Sequence, residues 1–265
     1  MRAQLPGLVL AYDSAGSGQT LLLLHGYPLS RRLWRPQLEY LTDAAHVIAP
    51  DLRGHGDSDA REGPYTMDQL ADDAVALLDS LGLSQPAVVA GLSMGGYVAL
   101  ALCRRHPSRV AGLILAATKA GADSPEAQAN REKSAALARE KGVEAIADSM
   151  LPKMFAPATY TANPGLVAEA RAMMAATPLN GVVGDLLGMK VRPDSTALLA
   201  QITIPVLVIH GQEDQLIPAR EAEATHAGLP NARLALVPNA GHLLNLEQPE
   251  AFNAEVRTFL QSLSA

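Results

Sequence analysis

Three short stretches of this 265-residue chain hold the residues best able to do chemistry together. The first is Gly91-Leu92-Ser93-Met94-Gly95-Gly96, placed where a predicted buried strand gives way to a predicted helix. A nucleophile there needs a sharp turn that lifts its side chain above the sheet, and small flanking residues allow that turn without a Cβ clash. The helix that follows points its free N–H groups toward developing negative charge. Alone, a G-x-S-x-G pattern is weak, since a chain this long contains one by chance in roughly one case in ten. The plainer reading is a Gly-rich turn with a capping serine, and the strand before and helix after argue against it.

A serine hydroxyl also needs a base, usually a histidine, and seven histidines compete. His242, in Asn239-Ala240-Gly241-His242, falls after the last predicted strand and before the last predicted helix. That puts it at the same carboxyl edge of the sheet as Ser93. A third group must hold the imidazole tautomer. Asp214, in Gly211-Gln212-Glu213-Asp214-Gln215, follows a predicted strand and suits that role, with Glu213 equally placed by spacing. His25 and His55 read as loop residues hydrogen-bonding near the pocket, and His210 as a satisfied core residue. His46, His106 and His226 read as ordinary strand-edge or helix residues.

The elements that must position these groups follow from apolar patterning. Leu8–Tyr12, Thr20–Leu24, His46–Ala49, Ala87–Leu92 and Val110–Thr118 read as strands. The runs at 20–24 and 46–49 do not alternate, as expected of strands covered on both faces. Thr66–Leu81 has helical spacing, with Thr66 as N-cap and Gly82 as stop, and Gly95–Arg105 is a second helix. From about Gly121 to Pro193 the sequence is Ala-rich and helical with no convincing strand. Alternation resumes with a strand at Ile204–His210, a helix at Ala219–Ala227, a strand at Arg233–Val237 and a helix at Pro249–Leu263. The prediction is an α/β doubly wound, mostly parallel sheet flanked by helices. Its organisation would be a first core part at 1–120, a helical cap inserted between strands at 121–195, and a second core part at 196–265.

Composition narrows the function classes. The chain is 48% hydrophobic and 18% charged with a net charge of −6, and it has no basic stripe, which argues against nucleic acid or an anionic membrane as partner. Cys103 is the only cysteine, so neither an intrachain disulfide nor a cysteine metal cluster is available. No H-E-x-x-H occurs, and Gly16-Ser17-Gly18 precedes a strand rather than a helix, so it is no dinucleotide fingerprint. The stretch after Arg2 is broken too early by Pro6, Gly7 and Asp13 for a secretory signal. The expectation is a soluble, cytoplasmic protein with no metal and no cofactor, and a monomer or a homodimer.

The chain order Ser93, Asp214, His242 resembles that of the α/β-hydrolase fold superfamily. The resemblance is supported by His25-Gly26-Tyr27-Pro28, Asp51-Leu52-Arg53-Gly54-His55-Gly56, the serine turn, Gly211 to Pro218 and Gly241-His242. It covers the chain apart from the cap. It implies a Ser93–Asp214–His242 triad, an oxyanion hole from the backbone N–H groups of Tyr27 and Met94, and a turn-stabilising role for Asp51. Within the superfamily the sequence is similar to serine carboxylesterases and 3-oxoadipate enol-lactonases, and Ser93 stands where dehalogenases and epoxide hydrolases have aspartate.

The implied function is cleavage of a small-molecule carboxylic ester or lactone through an acyl-serine. Alternatives on the same scaffold are an enol-lactonase, a perhydrolase, a carbon–carbon bond hydrolase, or a ligand-binding receptor with little turnover. Five methionines, Met150, Met154, Met173, Met174 and Met189, fall in the cap. Such flexible side chains either line an apolar pocket or merely pack the cap down. Trp34, Met150, Met154, Phe155 and Leu187 are the candidate pocket residues. A substrate carboxylate would need a cation, and Arg131, Lys153, Arg171 and Lys190 are the cap residues available.

Overall fold

The computed structural model describes residues 1–263; Ser264 and Ala265, the last two of the expected second core part, lie outside the described residues. Eight strands form one sheet in the order β1-β2-β4-β3-β5-β6-β7-β8. They are β1 (Arg2–Leu5), β2 (Leu8–Ala15), β3 (Thr20–Leu24), β4 (His46–Pro50), β5 (Ala87–Leu92), β6 (Val110–Ala116), β7 (Val206–Gly211) and β8 (Ala232–Val237). β1 and β2 pair antiparallel, β2 meets β4 antiparallel, and from β4 to β8 every pairing is parallel. β1 escaped the sequence reading because four residues ahead of a turn at Pro6-Gly7 carry too short a pattern.

Helices α1 (Arg35–Tyr40), α2 (Met67–Ser80) and α3 (Met94–Arg105) connect the first strands. Between β6 and β7 the chain makes α4 (Pro125–Lys141), α5 (Val143–Met150), α6 (Thr159–Ala162), α7 (Pro164–Ala175), α8 (Leu179–Lys190) and α9 (Thr196–Leu199), with no strand among them. α10 (Ala219–Ala227), α11 (Leu244–Glu247) and α12 (Pro249–Ser262) complete the fold. Local signals set the starts. The Thr66 side chain accepts from Gln69 N (3.2 Å), Ser124 from Ala127 N (3.2 Å) and Asn163 from Leu166 N (3.1 Å), the last two followed by proline at the first helical position.

The non-alternating runs are explained by two cores, one on each face of the sheet. Leu22, Leu24, Val89, Leu113 and Leu115 pack with α2, α3 and α8 on one face. Their neighbours Leu21, Leu23, Val88, Ala90 and Ile114 pack with Trp34 and α12 on the other. Period two within each strand is preserved, but both faces are apolar. The parallel register also aligns the strand ends: Leu24 stands opposite Gly91, Leu92 opposite Ala116, and Gly211 opposite Val237. The loops after β3, β5, β6, β7 and β8 therefore emerge along one edge. No helix is long and apolar enough to cross a membrane among the described residues.

Candidate active site

Ser93 sits between the end of β5 and the start of α3 at φ 55°, ψ −115°. That backbone is strained for a residue with a Cβ, and it persists only where the surroundings fix it. They do. Ser93 N donates to Ala116 O (2.9 Å), and Ser93 O accepts from Gly96 N (2.9 Å) and from Thr118 Oγ1 (2.8 Å). The flanking residues have to be glycine: a Cβ on Gly91 would fall 2.1 Å from Gly95 O, and one on Gly95 would fall 2.1 Å from Leu24 O. Met94 is the first residue of α3, so its N–H is one of the helix-end donors without an intrahelical partner. The loop after β3 lies directly beside the turn, because a Cβ on Gly26 would come within 3.3 Å of Ser93 Cβ. Tyr27, the next residue of that loop, lines one cavity together with Ser93.

His242 and Asp214 meet across the ends of β7 and β8. Asp214 Oδ2 lies 2.8 Å from His242 Nδ1, and both residues are buried. Asp214 Oδ1 accepts from Leu216 N (2.8 Å) and Ile217 N (2.9 Å). Burial disfavours the carboxylate, but His242, His210 and these donors outweigh it and hold Asp214 well below the usual carboxylate range. An ionised carboxylate can only accept, so the proton on His242 belongs on Nδ1 and Nε2 keeps its lone pair. Glu213, equally placed by spacing, is not the residue that meets His242.

Two partners were not foreseen from sequence. His210, fully buried as a core residue with Nε2 bonded to Ile217 O (2.8 Å), also stands 3.3 Å from Asp214 Oδ2 and so helps to fix the carboxylate. Glu247 accepts from Gly241 N (2.6 Å), Ala156 N (2.8 Å) and Thr159 Oγ1 (2.7 Å), tying the His242 loop to the segment before α6. The only signal for Glu247 was a lone acid five residues after His242, which no spacing rule singles out.

The other histidines and Asp51 behave as scaffolding. His25 Nε2 accepts from Leu52 N (3.0 Å) while Nδ1 donates to Gly26 O (3.0 Å), which fixes the loop that carries Tyr27. His55 Nε2 lies 3.1 Å from Asp185 Oδ2 of α8, both side chains fully buried. Asp51 accepts from Arg31 N (2.7 Å) and Asp57 N (2.8 Å) and pairs with the Arg31 guanidinium.

A cavity of about 410 Å³ opens at Ser93 beneath α4, α5 and α8. Its apolar wall includes Ile146, Met150, Leu186, Met189 and Ile217. Of the candidate pocket residues only Met150 lines it. Trp34 is fully buried on the opposite face of the sheet, its ring centroid 6.0 Å from that of Phe252. Met154 and Phe155 are also fully buried in that second core, Phe155 edge-on to Tyr160. Leu187 is half-buried against the first core, one residue off the face of α8 that presents Leu186 and Met189. For Trp34, Met154 and Phe155 the reason is common: an apolar residue type does not say which of two cores it joins. Of the cap cations, Arg131 lines the cavity, whereas Arg171 pairs with Asp148 (2.6 Å) and Lys190 with Glu132 on the surface. Among the described residues no group of three or more His, Cys, Asp or Glu side chains is arranged to hold a metal ion.

The sequence pattern of the α/β-hydrolase fold family matches residues 19–249. The chain belongs to that family. It is 33% identical over 259 residues to 3-oxoadipate enol-lactonase 2 of Acinetobacter baylyi, covering 96% of this chain and 94% of that protein. It is 36% identical over 246 residues to the pimeloyl-[acyl-carrier protein] methyl ester esterase of Aromatoleum aromaticum, covering 87% and 93%. Among solved structures, a thermophilic esterase from Thermogutta terrifontis, in a malate-bound form, superposes with a TM-score of 0.97 at 41% identity, covering 100% of this chain and 99% of that one.

Proposed function

We propose that this protein is a serine hydrolase of small to medium carboxylic esters, with Ser93 as nucleophile, His242 as base and Asp214 as the orienting acid. The observation that carries the reading is the strained Ser93 turn on the same sheet edge as the 2.8 Å Asp214–His242 pair. Esterases and an enol-lactonase among its relatives support it.

In this reading Ser93 gives its proton to His242 Nε2 as Oγ attacks the ester carbonyl carbon. The oxyanion that forms accepts from the N–H groups of Met94 and Tyr27, each worth ~2.7–4 kcal/mol in comparable sites. His242 then hands its proton to the leaving alcohol, and an acyl-Ser93 remains. Water, deprotonated by His242, attacks the acyl carbon and releases the acid. Asp214 stays ionised throughout and stabilises the imidazolium.

The helices α4–α8 act as a cap over the cavity, supplying the apolar wall for the acyl chain. The single buried cysteine, its thiol pushed up to about 12 by burial, accords with a reducing, cytoplasmic setting. Labelling with a fluorophosphonate tests the reading independently of substrate. A single adduct on Ser93, lost on heat unfolding and slowed in a His242→Ala variant, is expected. No adduct, or one elsewhere, would refute the assignment.

A further inference from the structure

Three amides are buried on the face of the sheet that holds Leu33, Trp34, Leu244 and Phe252. Gln37 of α1 and Asn245 of α11 are fully buried, and Asn253 of α12 nearly so. A buried amide is costly unless its hydrogen bonds are made. Here they are made to one another and to two backbone carbonyls. Asn245 Nδ2 donates to Leu33 O (2.8 Å) and to Gln37 Oε1 (3.0 Å). Gln37 Nε2 donates to Asn253 Oδ1 (3.0 Å) and to Asn245 O (3.3 Å). Leu33 O can only accept, so the NH2 half of Asn245 has to face it. Asn245 Oδ1 is buried with no partner among the described residues, so that NH2 group alone holds the side chain.

The network joins two loops that the sheet keeps apart. Asn245 lies three residues after His242, in the single turn of α11. Leu33 lies in the short helical turn Arg31–Trp34 that follows the Tyr27 loop. Two turns link them, with Leu29 N donating to Gly26 O (2.9 Å) and Leu33 N to Ser30 O (3.0 Å). These loops leave β3 and β8, which have three strands between them. At ~4.8 Å per strand step, the two strands stand about 19 Å apart. Strand pairing fixes that separation only through β5, β6 and β7, and each step adds its own twist. The base and the oxyanion donor nevertheless have to converge on one carbonyl group. The Asn245–Leu33 bond ties their loops directly.

We propose that Asn245, bonded to Leu33 O and braced by Gln37, is a positioning residue that fixes the turn carrying His242 against the loop carrying the Tyr27 N–H. It does not line the cavity and acts only through those two loops. Its effect falls on the distance between base and oxyanion donor, where a misplacement of ~1 Å costs on the order of 10²-fold in rate. The role rests on the ester-hydrolase reading above and adds to it a residue outside the triad and the oxyanion hole.

The test separates the tie from stability alone, with p-nitrophenyl butyrate as substrate. Asn245→Leu keeps the shape but strands Leu33 O and the Gln37 amide. It should lower kcat by ~10-fold to 100-fold with KM changed by less than ~3-fold, and it should lower the urea midpoint. Adding Gln37→Met removes the stranded amide. The double variant should regain part of the urea midpoint while kcat stays low. If Asn245→Leu does not fold, the double variant carries the comparison. A wild-type kcat in Asn245→Leu, or a kcat that recovers with stability in the double variant, would overturn the tie and leave the esterase standing. Amide hydrogen exchange of the substrate-free proteins reads the tie without turnover. In the variants exchange should quicken at residues 26–33 and 242–247 together, and less elsewhere. A rise at 242–247 alone, or an equal rise along the whole chain, refutes the tie. Wild-type protein without Ser93-dependent turnover would count against the ester-hydrolase reading, and the exchange result would still decide the tie.

Discussion

Ser93 occupies a backbone conformation that costs of order 1–3 kcal/mol, held by Ala116 O, Thr118 and two flanking glycines. Such strain at a residue whose side chain faces a cavity is what a nucleophile requires. Replacing Asp214 by Asn keeps the shape but leaves an amide that can donate to Nδ1 and so favour the wrong tautomer. Turnover should fall by ~10⁴ with the fold unchanged, measured as kcat beside circular dichroism. Because Asp214 is held well below the usual carboxylate range, it remains ionised across mildly acidic conditions. Glu213→Gln leaves the Asp214–His242 pair intact and should leave kcat unchanged in the same assay. Glu247 tests positioning. Glu247→Ala removes the acceptor of three hydrogen bonds, one of them from the His242 loop, and should lower stability by about 2 kcal/mol in urea unfolding. It should depress kcat more than it raises KM.

At the scale of elements, α8 is bound to the loop between β4 and α2. A Cβ on Gly188 would fall 1.7 Å from Tyr65 O, and Tyr65 N donates to Gly184 O at 2.9 Å. The Asp185–His55 pair is buried in that contact. Burial alone would lower the His55 range, but Asp185 outweighs it and the net shift is upward. Protonation of His55 is then favoured by folding, so its contribution is complete below about pH 6.5 and is lost as pH rises through the shifted range. Thermal melts should show a midpoint that declines through that window in wild type and less so in a His55→Gln variant. Asp185→Ala strands His55 without its partner and should destabilise by about 3 kcal/mol. The sequence pattern revealed α8 only as part of an Ala-rich helical stretch. Its glycines serve close approach to the facing loop, a role that depends on what lies opposite.

For the molecule as a whole, the parallel sheet from β4 to β8 was legible because continuous apolar runs and helical periods alternate along the chain. The antiparallel β1 was not, since its four residues carry no period. The residues Ser93, Asp214 and His242 could be singled out from their places at strand ends, and in the structure Asp214 lies 2.8 Å from His242. The pocket lining was not legible: Trp34, Met154 and Phe155 went to the far core, and Lys119 and Tyr27 line the cavity instead. Apolar composition tells how much is buried, and only topology tells on which face. A cavity of about 410 Å³ also bounds the substrate, so kcat/KM should be highest for short acyl chains and fall by ~10-fold or more at twelve carbons. The most direct test of the central claim is the initial rate on p-nitrophenyl esters of graded acyl length, wild type beside Ser93→Ala. Rapid turnover by wild type that falls by ~10⁴ or more in the variant is the predicted result. Equal rates for the two proteins, or no turnover by well-folded wild type, would contradict it.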